Sequence, residues 1–292
     1  MPETTLSPPP KETADKQSSA HTVRLEPTRG FSRVLSPREL WHYRDLAVQI
    51  AMRDVTLRYR QTALGAAWAI LQPLAFMAIF SVFFGRLAGV SSDGLPYALF
   101  ALCALVPWAF FASTLQLGSE SLVMYTELVS KIYFPRIFMP FGILCAGLVD
   151  LGVSICLLIV IVLVYGVVPT ASILMVPVLV LIAAAAALGI TSALSAVNVR
   201  FRDVRYVVPF AVQIWLFLTP IVYPNSLIGE PWQTLSAINP MVGVVEGFRW
   251  AMLGTSNPPL DLIGISALSA LVLLLAGLAY FDRVERTFAD II

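Results

Sequence analysis

Residues 137–199 read IFMPFGILCAGLVDLGVSICLLIVIVLVYGVVPTASILMVPVLVLIAAAAALGITSALSAVNV, and between Arg136 and Arg200 the only charge is Asp150. One helical crossing of a ~30 Å hydrocarbon core takes about 20 residues, so this stretch is too long for a single pass. It divides at Gly166 to Ser172, where Gly166 and Pro169 interrupt the apolar run. The reading is two spans near 138–165 and 173–197, and with them an all-α membrane protein.

The flanking sequence extends the pattern. Residues 63–85 carry no charge, and at helical rise they reach about 34 Å. Residues 97–118 form another uncharged run, and shorter ones follow at about 206–223 and 262–281. The expectation is six crossings with both termini on one side. Composition agrees: of 292 residues 58% are hydrophobic and 13% charged, with a mean hydropathy of +0.80, against roughly 25% charged in soluble domains. A net charge of +1 excludes a nucleic-acid binder that works through bulk charge. Cys103, Cys145 and Cys156 lie in apolar runs without CxxC spacing, and His21 and His42 have no HExxH partner pattern. Neither a disulfide framework nor a metal site is expected.

Lys and Arg choose the side. Twelve fall on the 36–62 segment, the 119–136 loop, the 198–206 loop and the C-terminal end, and the opposite face holds only Arg86 and Arg249. The positive-inside rule then makes both termini cytoplasmic. Residues 1–35, rich in Pro, Ser, Thr and charge, read as a disordered tail. They lack the apolar core of a signal peptide.

Residues 36–62 read as an amphipathic interface helix. Ser36-Pro37-Arg38-Glu39 supplies an N-cap, a Pro at the first helical position and a Glu at the third. Trp41, Val48, Met52, Val55 and Tyr59 share one narrow arc; Glu39, Arg53, Asp54, Arg58 and Arg60 lie away from it, and Asp45 near its edge. Such a helix can lie on a bilayer surface with basic residues at headgroup level, or pack on a soluble partner. The membrane-length run that follows favours the bilayer.

Two loops stand out. Ser119 to Phe134 reads as a helix with Leu122, Tyr125, Val129 and Ile132 on one face, Glu120, Glu127 and Lys131 beside it, and Pro135 ending it. It suits a soluble partner better than an anionic leaflet, which would repel the two glutamates. The 198–205 turn, with Arg200, Arg202, Asp203 and Arg205, anchors topology in its plainest reading. The external segment 224–260 is punctuated by five prolines. Its apolar piece Ile238 to Leu253 is too short to cross, so two short helices are expected to dip into the outer leaflet, broken near Asn239-Pro240. They either gate an exit or cap the bundle.

Asp150, mid-span, either lines a polar lumen or packs between helices. Proton coupling would want a second intramembrane acid or a His. Trp108, Phe111, Trp215 and Tyr223 are aromatics that can stack on sugar rings, but can equally be core or interfacial residues.

Several motifs resemble the membrane subunit of a type-2 ABC exporter, in the branch that exports O-antigen, capsular and teichoic-acid polysaccharides. They are Arg53-Asp-Val-Thr-Leu-Arg-Tyr-Arg60, Gln61-Thr-Ala-Leu-Gly-Ala-Ala-Trp68 with Leu71-Gln-Pro73, Lys131-Ile-Tyr-Phe-Pro-Arg136, Asn198-Val-Arg-Phe-Arg-Asp-Val204 and Asn239-Pro-Met-Val-Gly-Val-Val-Glu-Gly-Phe-Arg249. The resemblance spans about residues 25–285. It implies a homodimer of six-span subunits (63–292), in the bacterial inner membrane, joined to two separate ATP-binding-cassette subunits that bind ATP and Mg. It also implies an ATPase-coupling helix in 119–136, involving Tyr125, Glu127, Leu128, Lys131 and Tyr133. External helices in 224–260, with Asn239, Pro240, Glu246 and Arg249, would shape the exit. A lipid-linked polysaccharide would pass along a channel to which Trp108, Phe111, Asp150, Trp215 and Tyr223 are candidates to contribute.

The chain has no GxxxxGK[ST] loop with which to cradle nucleotide phosphates, so no cofactor is expected in it and any ATP hydrolysis belongs to a partner. Rivals remain at this level: export of teichoic acid, lipid or drug by the same architecture, a membrane-embedded transferase acting on lipid-linked sugars, or an ion-coupled transporter. The transferase would need convergent acids, histidines or a nucleophile, which Asp150 alone does not supply.

Overall fold

The structure, a computed structural model, describes residues 41, 43–60, 67–125, 134–229, 231–254 and 257–285. The N-terminal tail, the Ser36–Glu39 cap, residues 126–133 and Glu230 lie outside it. Among the described residues every regular element is helical. In chain order these are α1 (Arg44–Arg60), α2 (Ala67–Phe80, continued by a π-helical stretch Ser81–Leu87), α3 (Tyr97–Ser119), α4 (Ser121–Met124), α5 (Phe138–Val164), α6 (Val176–Arg200, led in by a 3-10 turn Ala171–Met175), α7 (Val204–Leu218), α8 (Trp232–Ser236), α9 (Pro240–Leu253) and α10 (Leu260–Glu285).

Among the described residues, five helical segments are long and apolar enough to cross a membrane: Ile70–Leu87, Tyr97–Ser119, Phe138–Val164, Ala171–Arg200 and Leu260–Glu285. The expected span at 206–223 is shorter. α7 stops at Leu218 because Thr219 precedes Pro220 and takes an extended conformation, as residues before proline do. Its 15 residues reach only about 22 Å, and residues 219–222 that follow are buried and non-helical.

The long apolar stretch breaks where its composition says. Gly166 has φ +77°, its N–H bonds Leu163 O, and the N–H of Val167 bonds Val162 O. This pair of bonds closes α5 in a Schellman cap, which favours a glycine at the left-handed position.

α3 is the axis of the core. It packs against α2, α5, α6, α7 and α9, and Leu99, Phe100, Leu102, Phe111 and Leu115 are fully enclosed. The most extensive interface is between α6 and α10, where Gly189 and Gly277 face each other and a Cβ on Gly277 would run into the Gly189 carbonyl. Small residues let membrane helices approach this closely. Outward faces carry Phe76, Phe83, Phe210, Phe217, Leu268 and Leu275 exposed, an apolar surface that needs lipid or another chain rather than water.

The helices alternate in direction, which gives the bundle two ends. At the proximal end a second, small core gathers Ala47 and Ile50 of α1, Leu122 of α4, Phe138 at the start of α5, and Ala196 and Phe281 near the ends of α6 and α10. At the distal end α9 is folded back into the bundle, against α3, α6 and α10.

Candidate functional site: two polar nodes at opposite ends of the bundle

The proximal node centres on Asp54. The face of α1 that meets protein is Ala47, Ile50 and Asp54, spaced i, i+3 and i+7. It lies on α5 at Gly142, where an added Cβ would sit 2.9 Å from both Asp54 Oδ2 and Ile50 Cγ2. Trp41, Val48 and Met52, from the predicted apolar arc, are exposed on the other side. Asp54 itself is 5% exposed. The Tyr125 hydroxyl donates to Asp54 Oδ1 at 2.7 Å. The Arg53 guanidinium lies 3.5 Å from the same oxygen and 4.2 Å from the centroid of the Tyr125 ring. Burial raises the Tyr125 phenol above its ordinary value, and the hydrogen bond and charge of Asp54 push the same way. Asp54 Oδ2 and Arg53 Nε are buried with no hydrogen-bond partner among the described residues.

Two further ties belong to this end. The Arg136 N–H donates to Glu285 Oε1 at 3.2 Å and Arg136 Nη1 to the Glu285 carbonyl at 3.4 Å, which fastens the end of α10 to the approach to α5. Asn198 Nδ2 donates to the Ser119 carbonyl at 2.9 Å, joining α6 to the C-terminal end of α3. Residues of three of the quoted motifs therefore meet in one place. Arg200, Arg202, Asp203 and Arg205 are exposed beside it, with Arg200 5.4 Å over the Phe201 ring. Of the residues assigned to the coupling loop, Tyr125 points inward at Asp54, whereas Glu127, Leu128, Lys131 and Tyr133 lie outside the described residues.

The distal node centres on Arg249 of α9. Sequence reading placed it on the external helices; it is 3% exposed. Its Nη1 donates to Glu246 Oε1 at 2.7 Å, its Nη2 to the Ile221 carbonyl at 3.0 Å and its Nε to the Phe100 carbonyl at 3.3 Å. The guanidinium also lies 3.5 Å from the Phe100 ring centroid, a desolvated cation–π contact. Burial raises the Glu246 carboxyl above the usual carboxylate range, opposed by the Arg249 charge beside it.

The break before α9 falls where Asn239-Pro240 predicts. Asn239 Oδ1 accepts from the Met241 N–H at 3.1 Å while its Nδ2 donates to Thr219 Oγ1 at 2.9 Å, so one side chain caps α9 and holds the segment after α7. Pro240 occupies the first turn, where its missing N–H costs nothing. Ser266 of α10 accepts from the Gly243 N–H and donates to the Ala237 carbonyl. Tyr97 donates to the Val222 carbonyl at 2.7 Å.

The channel candidates separate. Trp108 and Phe111 are buried inside the chain, their rings 5.7 Å apart, and Trp215 stands edge-on to Phe111 at 5.2 Å. In this conformation Trp108 and Phe111 are core residues of α3, enclosed by the helices of the same chain. Trp215 and Asp150 are half-buried. Tyr223 is half-buried too, and donates to the Phe217 carbonyl at 3.1 Å.

Residues 46–253 match the ABC-2 type transporter family, more than half of the chain and including both nodes. The chain belongs to that family. This ABC-2 chain is 29% identical over 255 residues to the O-antigen export system permease protein RfbA of Myxococcus xanthus, covering 87% of this chain and 97% of that protein. It is 28% identical over 251 residues to the protein of the same name from Klebsiella pneumoniae (85% and 95%). It is 24% identical over 240 residues to the polysialic acid transport protein KpsM of Escherichia coli (80% and 92%). The chain is thus a multi-pass membrane protein of a transport family. The Asp54–Tyr125 contact was not anticipated. The sequence places Asp54 only among the polar residues away from the apolar arc of α1.

Proposed function

We propose that this chain is the conduit subunit of an ATP-driven exporter that moves a lipid-linked polysaccharide, O-antigen or capsular in type, out across the inner membrane. Two copies form the conduit, and two separate ATP-binding-cassette subunits dock on the proximal end, which faces the cytoplasm with both termini. The observation that carries the reading is the near-full-length likeness to permeases named for polysaccharide export. The polar architecture supports it. The proximal end gathers the entry helix, the 119–125 segment and the ends of α5, α6 and α10 around one small core, so a push on the loop reaches three spans at once. The distal end has a short re-entrant helix pinned over the end of α3, where an exit would lie.

In this scheme nucleotide closes the partner ATPases, the 119–136 loop is displaced, and the spans part to pass the polymer. The half-buried Asp150 and Tyr223 are candidates for the polar surface along which it moves. The test is to purify the chain with its cognate ATPase and add lipid-linked glycan extracted from the same cells. ATP hydrolysis is expected to rise severalfold, and deletion of the chain should trap glycan on the inner leaflet. Stimulation by unrelated drugs or phospholipids but not by glycan would reject the cargo.

A further inference from the structure

We infer that Asp54 and Tyr125 form a latch that makes α1 move with the 119–136 loop, so that the interface helix, and not the loop alone, carries the ATPase stroke into the bundle. The inference rests on the reading of that loop as the ATPase dock, and adds the element that receives its motion.

α1 reaches the rest of the chain mainly through α5, over Ala47, Ile50 and Asp54 with Leu46 packed beside them, while Val48 and Met52 are exposed. A short polar bond ties α1 to the turn after α3, Tyr125 Oη donating to Asp54 Oδ1 at 2.7 Å. Tyr125 closes α4, the turn leading directly into the loop. Arg53 lies over the same ring, so the phenol is held from two sides by consecutive residues of α1. Burying a carboxylate is costly unless it is paired and hydrogen-bonded, and here one oxygen is served while Oδ2 rests against Gly142 with no hydrogen-bond partner among the described residues. A site optimised for packing alone would place an apolar residue there. An acid that is only half satisfied gives a bond that matters and a geometry that can be exchanged when the loop moves. Both residues are therefore positioning residues for transport, acting through α1 and touching neither nucleotide nor glycan.

The experiment uses the full chain with its ATPase in proteoliposomes. Tyr125→Phe removes only the hydroxyl. Asp54→Ala removes the acceptor. Each is expected to co-purify with the ATPase at the wild-type ratio, yet to lower glycan exported per ATP hydrolysed at least fivefold, and the double variant should be no worse than the worse single one, as for two ends of one bond. A wild-type coupling ratio in both single variants overturns the latch, and so does a loss of ATPase co-purification in both, which would mean that they merely shape the dock. Hydrogen exchange on the permease alone reads the latch without the ATPase. In Tyr125→Phe, amides of residues 47–56 should exchange at least tenfold faster than in wild type, and unchanged exchange there overturns the inference even where the export assay works. If wild-type chain fails to capture the ATPase while Tyr125→Phe still loosens α1, the exporter reading and the stroke fall, and only the Asp54–Tyr125 tie between α1 and α4 stands.

Discussion

At the distal end Arg249 is 3% exposed and each of its three nitrogens has an acceptor within 3.3 Å, two of them backbone carbonyls of other elements. At the proximal end Asp54 is nearly as enclosed, yet only one of its oxygens is served by a hydroxyl and its neighbour Arg53 leaves Nε without a hydrogen-bond partner among the described residues. The first arrangement is closed: any displacement of α9 breaks several bonds together. The second can be remade. A membrane exporter needs one end that keeps its shape and one that answers a partner, and the two nodes differ in that sense.

The comparison is most exposed to failure at Arg249. Arg249→Met would leave Glu246 buried beside two carbonyls that have lost their donors. Removing one member of a buried pair costs about 3–5 kcal/mol, and this variant is expected to lose most of its inserted, detergent-stable protein, read by membrane abundance and thermal unfolding. Arg249→Lys should recover only part, because a point charge cannot reach three acceptors set for a planar fork. If Arg249→Met were as abundant and stable as wild type, the distal node would not be the closed one.

A pair of glycines sharpens the contrast. A methyl on Gly243 would meet the Leu262 carbonyl at 2.5 Å and Ser266 Oγ at 2.6 Å; the carbonyl belongs to backbone, which gives little. A methyl on Gly142 would meet Asp54 Oδ2 and the Ile50 Cγ2 methyl at 2.9 Å, a longer approach and to side-chain atoms only. Gly243→Ala is expected to cost roughly 3 kcal/mol and Gly142→Ala nearer 1 kcal/mol, the two ends of the usual overpacking range. Thermal unfolding orders them. Gly142→Ala should hurt glycan export more than stability, since it shifts α1; equal losses of both quantities in the two variants would erase the distinction.

The spans were legible because lipid imposes its rule on every residue of a crossing: uncharged runs of the right length mark α3, α5 and α10 to within a few residues. α7 was read too long because hydropathy continues through Ile221-Val222-Tyr223, whereas the backbone yields at Thr219-Pro220. The node at Asp54 was half legible. A helical wheel puts Asp54 away from the apolar arc, but what it meets depends on Gly142 in α5 and a tyrosine 71 positions away in the chain. Arg249 was legible as a residue of the external helices, but its enclosure was not, since its acceptor on Phe100 lies 149 positions away. Short-range periodicity tells which side of a helix is apolar. It does not tell which partner takes the other side.

The smallest effect is expected at Asn198, which belongs to the proximal end by place but ties two spans rather than α1. Its Nδ2 donates to the Ser119 carbonyl, one of the last in α3, which have no partner within their own helix. Its Oδ1 is buried without a hydrogen-bond partner among the described residues. Asn198→Ala removes the donor and strands that carbonyl, but it also removes a buried oxygen that was itself unserved, so the net cost should stay near 1 kcal/mol. Hydrogen exchange should quicken over residues 115–125 and leave the distal helix α9 as protected as before. Asn198→Asp keeps the shape, offers no donor while ionised, and sets a charge beside a carbonyl, so it should cost more than the alanine. Should Asn198→Ala instead loosen α9 as much as the proximal turn, the ends would be coupled through α3 and α6 as one rigid body, and the division between a fixed end and a responsive end would have to be drawn elsewhere.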